Sequence, residues 1–370
     1  MADWITDESG RIDLKSLTAA QMERYFVDDL GEKPFRARQV YKWLWQRGAT
    51  TFAEMTDIAK TLRAKLEEVA VIRFLDVEQR LVSSDGTRKY LWRLPSGDAI
   101  ESVLIPDGDR LTLCMSSQVG CAMACTFCLT GDLGLKANLK PSEIVNQALQ
   151  VARDLPEDQR ITNLVFMGMG EPLHNLDNLC SALEVLFDDH ALNYSHRKVT
   201  VSTVGMVDRL IELANRSPVN LAVSLNASTE EQRRQIMPIT KKWSLAELID
   251  TCRHLPLPPG KRITFEYVMF RGFNDSLEDA RRLYEMLQGV KAKVNLIPYN
   301  ENPHRDIRRP SEATVKAFQH YFVSRNMNCT VRTTRGKDIS AACGQLGKGR
   351  QQLAGSEPMV TETPAVTTAG

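Results

Sequence analysis

The 370-residue sequence predicts an α/β protein in which a small helical N-terminal domain and a β-hairpin connector precede a core of parallel strands. Three observations predict this class. Residues 1–75 place apolar side chains at helical spacing, residues 76–106 form short alternating runs between turn sequences, and strands alternate with helices through 107–346. Such alternation is typical of a parallel sheet, here an open or partial barrel. Residues 347–370 carry little apolar content and are predicted to be disordered.

The N-terminal domain is predicted from helix signals. Thr18 and Gln21 have the spacing of a capping box, and the stretch KPFRARQVYKWLWQRG places apolar residues at helical spacing before a stop at Gly48. Those apolar positions are Phe35, Val40, Trp43 and Leu44. Basic residues are interleaved with the aromatic ones, which leaves open either a solvated face over an aromatic core or an RNA-binding surface. They are Lys33, Arg36, Arg38, Lys42 and Arg47.

The connector and the core are predicted from turns and strand patterns. The turn sequences SSDG, PSGD and PDGD separate the strands RKYLWRL, AIESVLI and RLTLCM. In the core, the predicted strands are NLVFMGMG, KVTVSTVG, NLAVSLNA, RITFEYVMF, AKVNLIPYN and CTVRTT, with helical segments between them. This order brings the carboxyl ends of many strands to one edge, where sites assemble in α/β proteins.

Composition narrows the class of protein without identifying a partner. The formal net charge is +1, so any nucleic-acid binding must come from local basic patches. The sequence contains no long apolar run and no signal-peptide pattern at its N-terminus, and a cytoplasmic location is therefore expected. Thiols stay reduced there, and eight cysteines in a chain of this length are too few for a disulfide scaffold.

Four of the eight cysteines lie in one stretch, CMSSQVGCAMACTFC. Cys121, Cys125 and Cys128 form a C-x-x-x-C-x-x-C run, and Cys114 stands upstream of them. A structural zinc site would need a second cysteine pair or a nearby histidine, and neither is present. Three thiolates instead suit a 4Fe-4S cluster in which one iron has no protein ligand. The alternative is a set of three inert buried thiols.

Three motifs together resemble the RlmN/Cfr family of RNA methyltransferases, which belongs to the radical S-adenosylmethionine superfamily. They are CxxxQVGCxxxCxFC from Cys114, GMGEPL from Gly168, and RxTRGxDIxAACGQL from Arg332 to Leu346. The resemblance covers nearly the whole chain up to Leu346. It implies a partial (β/α)6 barrel that uses one 4Fe-4S cluster with three cysteine ligands and S-adenosyl-L-methionine.

By this resemblance, Cys121, Cys125 and Cys128 bind the cluster, and the open iron binds the amino and carboxylate groups of S-adenosylmethionine. Glu171 would accept from the methionine ammonium, and Gly170 would permit close backbone approach. The other implied cofactor contacts lie at or near predicted strand ends and are Ser202, Ser224, Leu225, Asn226 and Asn300.

The resemblance also implies a reaction that uses two thiols. The thiolate of Cys343 takes a methyl group from one S-adenosylmethionine. Arg335, Lys337 or the positive charge of the sulfonium could lower the pKa of this cysteine. A radical from a second S-adenosylmethionine activates this methyl group, which adds to carbon 2 of an adenine. Glu101 then accepts the ring proton. Cys114 attacks the sulfur of Cys343, which breaks the carbon–sulfur bond to the RNA and leaves a transient disulfide. From the residues alone, Glu101 would be an exposed strand carboxylate and Cys114 a small apolar residue.

The implied substrates are the adenosine at position 2503 of 23S rRNA and adenosine 37 of tRNA. Such a base must be unstacked before an enzyme can reach carbon 2. Basic candidates for contact with the RNA backbone are Arg36, Arg38, Arg233, Arg234, Lys241, Lys242, Arg305, Arg308 and Arg309. A low-potential, flavodoxin-like electron donor and a monomeric state are further expectations.

Two alternatives remain at this point. The first is methylation of carbon 8 of the same rRNA adenosine by the same cysteine chemistry, which the cysteines alone cannot distinguish. The second, from another class of protein, is a non-catalytic RNA-binding protein stabilised by zinc.

Overall fold

A computed structural model describes residues 4–302 and 305–347 of the chain. Within these residues the α-helices are α1 Ala19–Arg24, α2 Pro34–Trp45, α3 Lys60–Val69, α4 Leu129–Asp132, α5 Pro141–Arg153, α6 Leu176–Phe187, α7 Val207–Arg216, α8 Glu230–Ile236, α9 Leu245–His254, α10 Leu277–Met286 and α11 Glu312–Val323. All described helices are too short or too polar to span a bilayer. The predicted disordered tail lies, from residue 348 onwards, outside the described residues.

The strands form one large and two small sheets. Their bounds are β1 Ile12–Asp13, β2 Ala70–Val71, β3 Asp76–Val82, β4 Arg88–Arg93, β5 Ala99–Asp107, β6 Arg110–Cys114, β7 Gln118–Gly120, β8 Leu135–Asn138, β9 Asn163–Phe166, β10 Val199–Thr203, β11 Asn220–Ser224, β12 Ile263–Met269, β13 Ala292–Pro298 and β14 Cys329–Val331. In the described chain, the large sheet has the order β3-β4-β5-β6-β9-β10-β11-β12-β13-β14.

The large sheet changes from antiparallel to parallel at β6. Strands β3, β4, β5 and β6 pair antiparallel, whereas β6, β9 and every strand beyond them pair parallel. Each of the six strands β6 and β9–β13 is followed by at least one helix before the next parallel strand. The predicted partial (β/α)6 barrel is therefore confirmed. The predicted connector shares this sheet with the core, and the division of the chain into domains stays a prediction.

The predicted strands and helices of the core follow the apolar pattern of the sequence. Strand β12 buries Ile263, Phe265, Tyr267 and Met269, and each of these side chains is fully covered. The sequence analysis did not identify β3, the small β7–β8 sheet or helix α8. These elements are short or largely polar, so hydrophobic periodicity gives little signal for them.

The N-terminal helices form as predicted, with one difference. Thr18 and Gln21 form the capping box of α1. Helix α2 begins at Pro34 and ends before Gly48, a glycine with a left-handed backbone conformation. Phe35 is 41% exposed, however, so this apolar position of α2 does not belong to the core. The apolar face of α2 instead contains Ala37, Val40, Tyr41, Leu44 and Trp45.

A buried polar network joins the N-terminal region to the barrel. The Lys15 ammonium donates to Asn146 Oδ1 at 2.6 Å and lies 3.5 Å from the centre of the Phe74 ring. The Asp13 carboxylate accepts from Ser16 at 2.9 Å and from Ser142 at 2.5 Å. Burial lowers the pKa of Lys15 and raises that of Asp13, because each charged form has lost water. Helix α5 is thereby fixed to the chain that precedes α1.

Candidate active site

A pocket of about 970 Å³, part of it open to solvent, lies at the carboxyl ends of the parallel strands. Its wall includes residues that end or follow β9, β10, β11 and β13, together with Glu266 and Val268 of the second half of β12, as expected where ligands bind in α/β folds. The three cysteines of the C-x-x-x-C-x-x-C run line one side. Most of the predicted cofactor contacts line it too: Gly170, Glu171, Ser202, Ser224, Asn226 and Asn300.

The cysteine loop is held by its own backbone. Strand β7 leads into the loop and pairs with β8, and the amide of Cys121 donates to Gly134 O at 2.9 Å. The amide of Cys128 donates to Cys125 O at 3.1 Å. Ala124 takes a left-handed conformation, with φ +49°, where the chain turns between the cysteines. The loop thus brings three thiols from neighbouring positions to one pocket wall.

An apolar cluster surrounds this loop. Phe127, the residue before the last cysteine, has its ring centre 5.5 Å from that of Phe270, which in turn lies 5.3 Å from Tyr299. Burial raises the pKa of Cys121 to about 12, because a thiolate would lose water there. Thiolates in such surroundings need a cationic partner, and iron is one.

The donor set fits an iron–sulfur cluster. The three thiols supply sulfur ligands, which iron–sulfur centres require. No three His, Cys, Asp or Glu side chains of the described ranges, 4–302 and 305–347, converge closely enough for a single metal ion. A cluster of several irons takes its ligands from a wider area than a single ion does. The remaining wall of the pocket is lined by hydroxyl, amide and carboxylate groups, which suit a polar organic cofactor.

The GMGEPL segment packs directly against the chain that leads into the cysteine loop. Gly168 and Gly170 leave no room for a side chain, since a Cβ atom would lie 2.6 Å from Met115 O and 2.5 Å from Gln118 Cβ, respectively. Gly170 also has φ +101°. Glycine is thus required at position 170 because the chain segment that leads into the cysteine loop lies in direct contact with it. In the sequence analysis, this glycine was instead expected to allow close approach of the cofactor. The amide of Glu171 donates to Gln118 Oε1 at 2.8 Å and completes this contact.

The Glu171 carboxylate lies at the base of the pocket. It accepts from Thr203 Oγ1 at 2.7 Å, from the Val204 amide at 2.9 Å and from the Leu173 amide at 3.0 Å. Burial raises the pKa of Glu171 to about 7, although these hydrogen bonds oppose the shift. The side chain is therefore fixed in position, and it retains acceptor capacity towards the pocket.

The sequence analysis did not identify a second buried carboxylate in this pocket. Glu266 of β12 is 5% exposed and accepts from Ser202 Oγ at 2.6 Å and from Ser224 Oγ at 3.5 Å. Two predicted cofactor contacts therefore donate to one acid. A charged residue inside the apolar strand RITFEYVMF was the available signal, because charged residues are rarely fully buried without a function or a partner.

The other predicted cofactor contacts differ in their placement. Asn226 has φ +59°, and its side-chain oxygen accepts from the Val268 amide at 2.9 Å, which ties β11 to β12. Leu225 is fully buried and does not line the pocket in the described chain, so its cofactor contact stays a prediction. Asn300 follows β13, donates to Cys343 O at 3.2 Å and accepts from Thr334 Oγ1 at 2.8 Å.

A second, small pocket adjoins the first and contains two further thiols. We call it the thiol pocket. Cys114, at the end of β6, and Cys343, in the C-terminal motif, both line it, and Cys343 also lines the first pocket. Both cysteines are free thiols. The strand β6 and the C-terminal loop thus bring together the two thiols that the resemblance pairs.

The cation beside these thiols is Arg332. It hydrogen-bonds Cys343, and its charge also acts on Cys114. Burial raises the pKa of Cys114 to about 12, so this group is a neutral thiol near pH 7. Burial raises the pKa of Cys343 as well, and Arg332 opposes that shift. The sequence analysis named Arg335 and Lys337 for this task. Arg335 also lines the thiol pocket and lies 3.6 Å from the Asp107 carboxylate, whereas Lys337 is exposed.

Glu101 lies beside the end of the C-terminal motif. It is 1% exposed, which corrects the expectation of an exposed strand carboxylate. Its carboxylate accepts from the Gly347 amide at 3.1 Å and lies 3.9 Å from the Lys89 ammonium. In the described chain it lines neither pocket. The predicted role of Glu101 as a proton acceptor stays a prediction.

The C-terminal motif is held over the barrel by contacts from several elements. The turn between β3 and β4 contacts it through three hydrogen bonds: Asp85 accepts from the Gly336 amide at 2.9 Å, and Ser83 and the Ser84 amide donate to Asp338 at 2.5 and 3.0 Å. On the opposite side, the Leu129 amide donates to Gly344 O at 2.9 Å. The predicted connector and the cysteine loop thus position the same segment, which carries Cys343.

Three of the predicted RNA-backbone contacts are engaged inside the protein: Arg233, Arg305 and Arg309, whose guanidinium donates to Pro298 O at 3.2 Å and to Thr334 Oγ1 at 3.3 Å. Arg233 is 1% exposed and donates to Val204 O at 2.5 Å and to Thr240 Oγ1 at 2.9 Å, so its interpretation as a backbone contact is wrong. The Arg305 guanidinium contacts Thr126 O and forms a pair of 2.6 and 2.7 Å hydrogen bonds with Asp132. It therefore braces the cysteine loop. Arg38, Arg234 and Arg308 are each more than half exposed.

Comparison with known proteins identifies the family. A model described as the ribosomal RNA large subunit methyltransferase N-terminal domain matches residues 12–72, and one described as the radical SAM superfamily matches residues 115–285. The chain is 52% identical to a dual-specificity RNA methyltransferase RlmN of Geobacter sulfurreducens, with 92% of each protein covered. It is 49% identical to the protein named RlmN 2 of Myxococcus xanthus, with 94% of this chain and 93% of the relative covered.

A solved structure agrees with these matches. The crystal structure of a radical SAM methyltransferase from Sphaerobacter thermophilus is 40% identical to the chain, with a TM-score of 0.84. The match covers 90% of this chain and 98% of that protein. The chain therefore belongs to the family of dual-specificity RNA methyltransferases RlmN, within the radical S-adenosylmethionine superfamily.

Proposed function

We propose that this protein methylates carbon 2 of the adenosines at the two implied sites in 23S rRNA and tRNA, through a covalent intermediate between Cys343 and the RNA. The observation that carries the proposal is the pairing of two pockets around one thiol. Cys343 lies in both the wall of the pocket with three cysteines and the wall of the thiol pocket with Cys114. A single sulfur that faces both sites can receive a methyl group in one and transfer it in the other.

The cofactors are a 4Fe-4S cluster and S-adenosyl-L-methionine. The cluster would be held by Cys121, Cys125 and Cys128, and the pair of cofactors supplies a methyl group and the radical that activates it. Glu171 orients the methionine end by accepting from its ammonium group. The buried carboxylate of Glu266, with its two serine partners, provides fixed acceptors and hydroxyls elsewhere in the same pocket.

The thiols divide the remaining work. Cys343 reacts as a thiolate, and Arg332 stabilises that form because the guanidinium hydrogen-bonds the sulfur. Cys114 is a neutral thiol at rest and attacks the sulfur of Cys343 only after it loses its proton. Glu101 would accept the proton that leaves carbon 2 of the adenine. Glu101 is buried and lines neither pocket in the described chain, so we expect a movement of the C-terminal motif or a water relay to bring this proton to it.

The test is the nucleoside content of RNA from cells with and without this protein. Digestion of 23S rRNA and tRNA followed by mass spectrometry should show 2-methyladenosine only in the presence of the protein, and Cys343→Ala should not restore it. Appearance of 8-methyladenosine instead would establish the alternative position. Purified protein should contain iron and sulfide, whereas bound zinc without sulfide would support the non-catalytic alternative.

Three expectations accompany the proposal. The reaction needs an electron at low potential, for which a flavodoxin-like donor is suited. A cytoplasmic location and a monomeric state stay predictions from the sequence.

A further inference from the structure

We propose that the hydroxyl of Tyr299 donates a hydrogen bond to a sulfur atom of the 4Fe-4S cluster and thereby raises the reduction potential of that cluster. The inference rests on the proposed function for one point, the binding of the cluster by Cys121, Cys125 and Cys128. It gives Tyr299, which none of the sequence motifs assigned to a task, a role in the transfer of an electron to the cluster.

Tyr299 lies in the wall of the pocket that contains the three cysteines. It directly follows β13, and its amide donates to Met269 O at 3.1 Å, which fixes its backbone to the end of β12. Its ring centre lies 5.3 Å from that of Phe270, which lies 5.5 Å from the ring of Phe127, the residue before Cys128. Tyr299 therefore belongs to the apolar cluster against which the cysteine loop packs.

The hydroxyl of Tyr299 is buried and has no hydrogen-bond partner among the residues that the structure describes. The residue as a whole is 4% exposed. The other hydroxyls that the described chain places on this pocket wall all donate to protein carboxylates, and they belong to Ser202, Thr203 and Ser224. Buried hydroxyls are nearly always hydrogen-bonded. An unpaired hydroxyl on the wall of a cofactor pocket therefore indicates that the cofactor supplies its partner.

The surroundings of this hydroxyl favour sulfur as the acceptor. Burial raises the pKa of Tyr299, because a phenolate would lose water there, although the Arg305 guanidinium opposes the shift. The phenol thus keeps its proton near neutral pH and is available as a donor. The negative charge of a Cys128 thiolate also acts on the hydroxyl. Thiolate and sulfide sulfurs carry negative charge and accept hydrogen bonds, whereas the neighbouring side chains of the apolar cluster offer no acceptor oxygen.

Such a hydrogen bond changes how readily the cluster accepts an electron. Hydrogen bonds to cluster sulfurs are among the factors that set the reduction potential. The bond stabilises the reduced state more than the oxidised state, because the reduced cluster carries more negative charge. Its loss should make reduction roughly tenfold less favourable, as expected for one hydrogen bond to a charged acceptor. For a one-electron couple, a tenfold change corresponds to about 59 mV.

The experiment measures the potential of the cluster, not methylation. Anaerobically purified protein without S-adenosylmethionine is titrated with reductant and followed by electron paramagnetic resonance. Tyr299→Phe removes only the hydroxyl and should lower the potential by about 59 mV. In the reduced wild type, electron–nuclear double resonance should detect a proton that exchanges in deuterated water, and Tyr299→Phe should lack this signal. Tyr284→Phe on α10 is the matched control and should agree with the wild type in both measurements.

A second replacement covers the case in which Tyr299→Phe does not retain the cluster. Replacement of Tyr299 by 3-fluorotyrosine keeps the hydroxyl and makes it a stronger donor, so the potential should rise above that of the wild type. A potential equal to that of the wild type in whichever variant retains the cluster overturns the inference. A shift that appears only after addition of S-adenosylmethionine also overturns it, because the acceptor is then the organic cofactor.

These outcomes separate the inference from the proposed function. A wild type that contains the cluster and methylates RNA, but whose potential does not respond to changes of Tyr299, refutes the inference alone. A wild type that holds no iron and sulfide refutes the proposed function, and the inference fails with it.

Discussion

The two sides of the active site are built in different ways. On one side, three cysteines come from a single loop that β7 introduces and that its own backbone hydrogen bonds hold. On the other side, Cys114 and Cys343 come from the first parallel strand and from the segment after the last one. The three cluster thiols thus belong to one short segment, which Arg305 and the hydrogen bond from the Thr126 amide to Ile236 O also tie to the barrel. The two thiols of the thiol pocket come together only when the whole barrel and its C-terminal segment are assembled.

This difference separates cofactor binding from positioning of the substrate. Contacts that hold the cysteine loop should affect the amount of cluster. Contacts that hold the C-terminal motif should affect methylation while the cluster remains. Variants on either side of the active site should therefore separate the two effects.

Removal of a cluster ligand should abolish both cofactor content and activity. We expect Cys125→Ser to lose iron and sulfide. Loss of a residue that only supports a metal site lowers activity up to roughly 100-fold, and loss of this ligand should lower methylation by more than that. Metal analysis and the visible absorbance of anaerobically purified protein measure this effect. Cys180→Ser, a change of a buried cysteine on α6, is the matched control and should retain the cluster. Full activity in Cys125→Ser would contradict the assignment.

Arg305 and Arg308 are close in sequence and should give different results. Arg305 braces the cysteine loop through Asp132, so Arg305→Gln should reduce iron content and lower methylation by about tenfold. Arg308 is 60% exposed, and Arg308→Gln should leave iron content unchanged and weaken RNA binding a few-fold, with a smaller salt dependence. Metal analysis and RNA titrations at several salt concentrations measure both. Equal effects of the two variants on iron content would remove the distinction.

The carboxylate of Asp338 should matter to the C-terminal motif alone. Its hydrogen bonds with Ser83 and the Ser84 amide hold the motif to the β3–β4 turn. We expect Asp338→Asn to lower methylation by roughly threefold to tenfold, a modest effect because the side chain is exposed. Hydrogen exchange should become faster in residues 336–346 and remain unchanged in the cysteine loop. Loss of cluster in this variant would show that the two sides are not separable.

The smallest effect concerns pH. The hydrogen bonds from Ser83 and the Ser84 amide lower the pKa of Asp338 below its ordinary value of 3.8. A carboxyl group whose pKa is lower in the folded state stabilises the fold at pH values above its unfolded-state pKa. This stabilisation is lost as the pH falls through the folded-state pKa. The effect of Asp338→Asn should therefore be constant between roughly pH 6 and 9 and should disappear only in acid. A titration of this effect near neutral pH would show that another group is responsible.

The same contrast explains what the sequence could predict. The spacing of Cys121, Cys125 and Cys128 indicates a cluster, because ligands that come from one loop are also close together in the sequence. Alternating strands and helices likewise predicted the barrel, since periodicity is local. The chain alone does not indicate that Glu266, Ser202 and Ser224 share hydrogen bonds, because parallel strands bring together residues that are far apart in sequence.

Arginines were the hardest residues to interpret from the sequence. Arg233, Arg305 and Arg332 look like ordinary basic residues in the sequence. In the structure, Arg233 is buried in the core, Arg305 is bonded to the cysteine loop, and Arg332 lines the thiol pocket beside Cys114 and Cys343. Their long side chains can reach partners in several directions, and the packed structure decides which one is used. The pairing of Cys114 with Cys343 was accessible only through the family resemblance.

The central claim is that Cys114 and Cys343 act on the same adenine, and one measurement tests it most directly. Cys114→Ala protein should accumulate a covalent complex with its RNA, and mass spectrometry of the digested complex should locate the link at Cys343. Cys343→Ala, and the double variant, should form no complex. Normal yields of methylated RNA from Cys114→Ala, with no covalent complex, would contradict the account.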